Sequence, residues 1–545
     1  MAADSDACVP RALTDFIFDL YDSVTLSHIT EEQRKFYNVD FRDLSSKYFA
    51  TTPWPSPQTI ATECNGDPLF LALYRELTHR HWHAVSRINI RDRMEGWQVY
   101  RELFEEILQE EPNFFITPEW AFDILNEFVY QFQGFCQFRT SLHINAIKYG
   151  MIKEGEPLSS VTQGSSSSNQ NVIDNINSIN SADAWEVEQV FSYLHRLVKI
   201  GTQQGQERPA YQYLGIFASV ALSRLECLLG DYVGSLQALA PISESLVVKT
   251  DGPDETAVEV IQSVFLARLI MAYHAGISFM MLRRYKDASR IWGDVCAFMQ
   301  RGFKVRRMNL IVAFLGLVLQ ICNNILTLVH LHPFNTLLLQ TGQLRKLPHS
   351  DQFSKMNDRM IALLAIVTSI CPPSGIVEES VLRTIREKHG SSLSKIDAGE
   401  GGYDELFLGP KFVTVSAENV FRAQMKQFTK EMAPQAECRK LRSYLKLYTS
   451  IAVSKIAKFN DQDEDALLST LIAYKHRMLQ LEAAENDPFG ESTLKSALDI
   501  HFYFVEDTVR VDEAEKQRRF EKYFAAQIAQ NSEILSDTLA IDTNV

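Results

Sequence analysis

One short pattern occurs twice, and it limits the fold more than any other feature of the chain. Leu228-Leu229-Gly230-Asp231-Tyr232-Val233-Gly234-Ser235-Leu236 and Met281-Leu282-Arg283-Arg284-Tyr285-Lys286-Asp287-Ala288-Ser289 align position for position. Each copy closes one helix with apolar residues, turns tightly, and opens the next helix with a tyrosine and a small residue. A unit of this kind cannot bury its apolar face alone, so it stacks against neighbouring helical hairpins. Composition agrees, because 24 glycines and 18 prolines in 545 residues fall well below the roughly 12% of an average chain. Together with 46% apolar residues, this favours long helices around several cores and excludes a disordered, collagenous or small disulfide-stapled chain.

Charge narrows the function classes. Lys and Arg total 54 against 68 Asp and Glu, a net charge of −14, which argues against a surface that grips nucleic acid all round while allowing a local basic face. The eight cysteines, from Cys8 to Cys438, are scattered singly without C-x-x-C spacing and read as small buried hydrophobes in a reducing compartment. Met1 to Pro10 holds Asp4 and Asp6 and no apolar or Arg-rich leader, so a cytoplasmic protein is expected.

Along the chain, 1–153 reads as an N-terminal helical region in which Trp120, Ile124, Leu125, Phe128, Phe132 and Phe135 form a wide apolar stripe. Thr52-Pro53-Trp54-Pro55-Ser56-Pro57 is a rigid extended connector with a buried tryptophan. Residues 154–183, rich in Ser and Asn and without an aromatic residue, read as a flexible linker. The TPR-like helical repeats occupy 184–303. An atypical apolar insert follows at 304–344; its core reaches transmembrane length, but Gln320, Asn323 and Asn324 interrupt it, and a membrane span is not expected.

Residues 345–440 return to helices. In 441–511, compact helices over 444–448, 451–459 and 463–481, the last opened by an Asp461/Glu464 capping box, precede alternating strands over 499–504 and 508–511 about a turn at Glu506-Asp507. Three short helices followed by a hairpin spell a winged helix. The remainder, 512–545, forms a C-terminal helix and tail.

Chemistry-bearing motifs are sparse. No G-x-x-x-x-G-K-[ST], G-x-S-x-G or H-E-x-x-H occurs, and Gly399-Glu400-Gly401-Gly402 lacks the strand and lysine that would cradle phosphate. His79, His81, His83 and Glu76 are a candidate zinc cluster, weighed against a polar helix face, which is the favoured reading. No catalytic, cofactor or metal residue is therefore expected. Arg439, Lys440, Arg442, Lys446, Lys455 and Lys458, with Lys475, His476 and Arg477 beyond them, form a possible RNA-facing basic cluster; the competing reading is a solvated face balanced by Asp461, Asp463, Glu464 and Asp465. Two features suit a partner interface. Thr508, Val509, Arg510 and Val511 offer a docking strand, and Phe520, Phe524, Ile528 and Leu535 an apolar stripe for an inter-subunit helix bundle.

Helical hairpins leading into a winged helix and a terminal helix resemble the PCI family, whose modules assemble the proteasome lid, the signalosome and eukaryotic translation initiation factor 3. Thr52-Pro53-Trp54-Pro55, the run Asp67 to Leu77, Glu127 to Gln133, Leu228 to Tyr232, Met280 to Ala288 and Arg442 to Thr449 are similar to the L-type subunits of that factor, in the same order over nearly the whole chain. The resemblance implies a mainly α fold: TPR-like α-hairpin repeats, then a winged-helix PCI module with a small β-hairpin, then a C-terminal helix. It implies a non-catalytic scaffold without cofactor that contacts other PCI subunits and the small ribosomal subunit, with possible ribosomal RNA or mRNA contact, and helps recruit mRNA and initiator methionyl-tRNA. A proteasome-lid-like or signalosome-like scaffold is the alternative. Two departures stand out. The tail before Thr52 is shorter than in the family, and the insert interrupts a passage the family makes directly; a translated intron over 309–340 explains it better than a loop exposing so many Leu, Ile and Val side chains.

Overall fold

The structure, a computed structural model, describes residues 11–26, 31–153, 155–160, 170–180, 183–242, 260–261, 263–301, 350–371, 375–409, 420–432, 434–484 and 487–513, with the isolated positions 524, 528 and 531. Contacts divide the chain into two compact units. One comprises Met1–Leu282, Gly409–Gln427 and Ala483–Glu491; the other comprises Arg283–Leu408, Phe428–Glu482 and Ser492–Val545.

In the first unit, local sequence fixes where the long helices start. Asp67 accepts the Phe70 N–H and Pro68 follows it, opening Pro68–Val85. Asn89 and Asp92 form a reciprocal capping box for Ile90–Gln109. Thr117 accepts the Trp120 N–H ahead of Pro118–Lys148. Each start pairs a side-chain acceptor with otherwise unpaired amides, and proline at the first helical position costs no hydrogen bond. The expected stripe on Pro118–Lys148 is buried from Trp120 through Phe135. Trp54 is buried as expected; it stacks on Phe41 at 4.9 Å, and its indole N–H donates to Ser45 at 3.2 Å.

The linker expectation is corrected over Gln170–Asn180, which is a helix. Ile173, Ile176 and Ile179 recur every third residue, so they line one helical face, and all three are buried; this helix packs on Pro118–Lys148. Just beyond, Trp185 is buried with its ring 5.3 Å from that of Trp97, and its N–H donates to the Arg93 carbonyl at 2.8 Å. Aromatic burial thus ties the segment after 183 to the preceding helices.

Val187–Gln204 and Pro209–Leu229 form a hairpin that crosses at two glycines. A Cβ on Gly201 would lie 2.6 Å from the Gly215 Cα, and one on Gly215 would lie 2.8 Å from the Gly201 Cα. Pro209–Leu229 is long and apolar enough to cross a membrane, but most of its length is buried inside the unit, against Val187–Gln204, Pro118–Lys148 and Phe265–Met281. The repeated string has one backbone solution in both copies. Gly230 has φ +93° and its counterpart Arg283 has φ +61°, each making the left-handed turn that ends a helix. Asp231 then caps the next helix through the Gly234 N–H, while in the second copy Arg284 pairs with Asp287 at 2.7 Å.

Within the candidate zinc cluster the His79 and His83 rings lie 6.2 Å apart, and His81 is bonded elsewhere. His81 meets the Phe49 carbonyl at 3.0 Å and His83 lies 3.4 Å from Glu127, while Glu76 is buried beside Arg80 at 3.3 Å and accepts from Tyr100. Among the described residues no three His, Cys, Asp or Glu side chains group to hold a metal ion. Burial pushes the Glu76 carboxyl up to about 7 against the opposing charge of Arg80. The described cysteines, Cys64, Cys136, Cys227, Cys296, Cys371 and Cys438, are all buried.

In the second unit, residues 285–301 are helical, with Trp292 and Cys296 fully buried. Ser350–Ile370 buries every residue from Met360 to Val367 and ends ahead of Pro372. Glu379–Ala398 stops at Gly399, whose φ is +79°. The winged helix follows as Gln435–Leu447, Val453–Asn460 and Glu464–Arg477 with a three-stranded sheet of β1 (Ser450–Ala452), β4 (Ile500–Val505) and β5 (Thr508–Glu513). Two further strands, β2 (Leu479–Ala484) and β3 (Asp487–Ser496), pair with each other.

Several expectations change here. Ile451 and Ala452 are strand rather than helix because they pair with Val509 and Thr508. The third helix ends at Arg477, and 479–481 enter β2, where Gln480 accepts the Lys286 N–H and Glu482 pairs with Lys286 at 3.0 Å. Asp461 sits at φ +53° and ends the preceding helix, so it takes no part in a capping box; Asp463 is the N-cap residue. The apolar insert lies outside the described residues.

Candidate interaction surfaces

Apolar periodicity sets up the winged helix. Leu441 and Leu445, Ile456 and Ala457, and Leu467, Leu471 and Tyr474 turn inward from the three helices onto Ile451, Phe502 and Val509 of the sheet. The opposite faces carry the basic cluster, and they divide it in two.

Arg439, Arg442 and Lys446 are occupied within the fold. Arg439 lies 3.6 Å from Asp397 and donates to the Tyr403 hydroxyl at 3.1 Å. Arg442 grips Asp499 through two nitrogens at 3.0 and 2.8 Å, and Lys446 reaches the same carboxylate at 2.5 Å. Burial opposes ionisation of Asp499, but the hydrogen bonds and charges of Arg442 and Lys446 outweigh it and hold the carboxyl down to about 2. Lys440, Lys455 and Lys458 are exposed and have no carboxylate within ion-pair distance among the described residues. Lys455 instead stands 5.4 Å from the Tyr448 ring centre and 5.9 Å from that of Phe459.

The strand expected to dock a partner is corrected. Strand order is β1, β5, β4, so Thr508, Val509 and Arg510 pair with β1 on one side and with Val505, Phe504 and Tyr503 of β4 on the other, and the Val511 N–H donates to the Thr449 carbonyl. Val509 is fully buried. A short strand at 450–452, hidden in the sequence by the helix-like run after it, takes the side that a bare hairpin would leave open. The outer strands are β1 and β4; on β4, His501 is exposed and Lys475 donates to the Phe502 carbonyl at 2.9 Å. In the terminal stripe, Phe524 and Ile528 are helical and 58% and 68% exposed; Phe520 and Leu535 lie outside the described residues.

The sequence profile described as RNA polymerase I-associated factor PAF67 matches residues 92–311 and 324–531. The chain belongs to the PAF67 family. That match runs from the capped helix at Ile90 through the winged helix, and it passes over 312–323, inside the apolar insert. Curated relatives are similar over nearly the same span. Eukaryotic translation initiation factor 3 subunit L of Nematostella vectensis is 27% identical over 567 residues, covering 98% of this chain and 94% of the relative. The proteins of that name from Mus musculus and Homo sapiens are 27% and 26% identical over 539 residues, covering 91% of this chain and 81% of each relative. The sequence similarity of this PAF67-family chain thus extends over its hairpin repeats and its winged helix alike, to proteins that carry one subunit's name.

Proposed function

We propose that this chain is a non-catalytic scaffold subunit of eukaryotic translation initiation factor 3, acting in the cytoplasm to help bring mRNA and initiator methionyl-tRNA to the small ribosomal subunit. The observation that carries this reading is end-to-end similarity to proteins named subunit L of that factor, 98% of this chain against 94% of one relative. These relatives favour the initiation factor over a proteasome-lid-like or signalosome-like complex.

The assembly contact falls on the β4 edge of the winged-helix sheet. A strand from a neighbouring subunit adds to β4, displacing Lys475 from the Phe502 carbonyl, and the exposed Phe524 and Ile528 pack against helices of the same complex. Affinity purification of the tagged full-length chain, followed by identification of its partners and by sedimentation with small ribosomal subunits, tests the reading. Recovery of other subunits of the factor is expected; a lid or signalosome set, or no partner at all, contradicts it.

A further inference from the structure

We propose that the winged helix binds single-stranded RNA on the face where Gln435–Leu447 meets Val453–Asn460, with bases stacking on Phe459 and Tyr444 and phosphates held by Lys440, Lys455 and Lys458. Helical spacing builds this face twice over. Lys440 and Tyr444 are four residues apart on the first helix, and Lys455 and Phe459 are four apart on the second, so each helix presents a cation beside a ring. Packing then joins the two pairs, with the Tyr444 and Phe459 ring centres 5.6 Å apart and their planes inclined by only 30°.

Charge identifies the ligand class. In a chain of net charge −14, acidic partners meet most of the basic side chains along this helix, as Asp397 and Asp499 do for Arg439, Arg442 and Lys446. Lys440, Lys455 and Lys458 are the ones left in water, with Lys455 standing 5.9 Å from the Phe459 ring centre, and Phe459 is 43% exposed. Flat apolar faces next to uncompensated cations suit a polyanion that carries flat bases. An acidic peptide would satisfy the lysines and leave the rings unused. A duplex would offer phosphates, but its bases are already stacked on one another, so the single strand is the form that uses both parts of the face.

The test is fluorescence anisotropy of the full chain with a short unstructured fluorescein-labelled RNA, with single-stranded DNA and a duplex of the same sequence as parallel arms. Phe459→Ala is expected to weaken binding of the single strand roughly tenfold or more. Changing Lys440, Lys455 and Lys458 together to Ala is expected to flatten the dependence of log affinity on log salt by about 2, from roughly 0.7 per lost phosphate contact. Lys355→Ala, at an exposed lysine elsewhere in the second unit, should change neither, and all variants should melt as the parent does. Single-stranded DNA binding as well as RNA would place the recognition in bases and phosphates, as proposed. No binding at low salt, unchanged affinity in Phe459→Ala, or a duplex bound as tightly as the single strand would overturn the proposal. So would loss of protein partners from purified complexes of the lysine variant with RNA affinity intact.

Discussion

At the scale of single residues, one buried and one half-buried carboxyl pull stability in opposite directions with pH. Glu76 has its pKa raised to about 7 by burial, so on unfolding it gives up its proton as pH rises past its ordinary value near 4.5. Its cost to the folded state therefore grows between about pH 4.5 and 7. Glu76→Gln is expected to flatten that slope in a melting-temperature series, and a slope unchanged by the substitution would show that another group sets it. Asp499 is the reverse case. Its carboxyl is held down to about 2, so its contribution is complete above about pH 4 and disappears as pH falls toward 2. Asp499→Asn should cost about 1 kcal/mol at neutral pH, a modest figure because solvent screens the half-buried cluster, and the gap from the parent should close in acid. The sequence announces neither effect. It shows the acidic and basic letters, but pairing Arg442 with an aspartate more than fifty positions away requires the fold.

At the scale of elements, the glycine crossing is the most demanding contact. Because a Cβ on Gly215 would sit 2.8 Å from the Gly201 Cα, Gly215→Ala must push two helices apart, at a cost of about 1–3 kcal/mol. Chemical denaturation would measure it, and a loss below about 0.5 kcal/mol would mean that the hairpin relaxes freely. Elements with strong local signals were legible in the sequence: the long helix with the Trp120 to Phe135 stripe, the hairpin about Glu506-Asp507, and the repeated turn, whose Gly230 and Arg283 share one left-handed geometry. Elements that depend on distant partners were not. Ser450–Ala452 becomes a strand only because β5 lies beside it, and the helix at Gln170–Asn180 forms because three isoleucines find Pro118–Lys148. The same reason moved the open edge. A hairpin read alone has β5 on one free side, whereas here the third strand closes β5 and leaves β1 and β4 outermost. Within the basic cluster from Arg439 to Lys458, composition does not separate the three side chains tied into ion pairs from the three left in water.

At the scale of the whole molecule, the proposed function is assembly. The chain's described residues form helical hairpins and a small sheet with two outer strands, of which β4 is proposed to take a neighbour's strand. Its similarity to initiation factor subunits extends from end to end, while the family profile passes over 312–323. Peptide mapping of the native protein is expected to recover no peptide from within 309–340; finding such peptides would make the insert a genuine part of the protein. The central claim, membership in eukaryotic translation initiation factor 3, is tested most directly by purifying the tagged chain at native abundance and identifying what remains bound. The account predicts the other subunits of that factor in near-equal amounts, sedimenting in part with small ribosomal subunits; a preparation containing the chain alone, or proteasome-lid or signalosome subunits in their place, would contradict it.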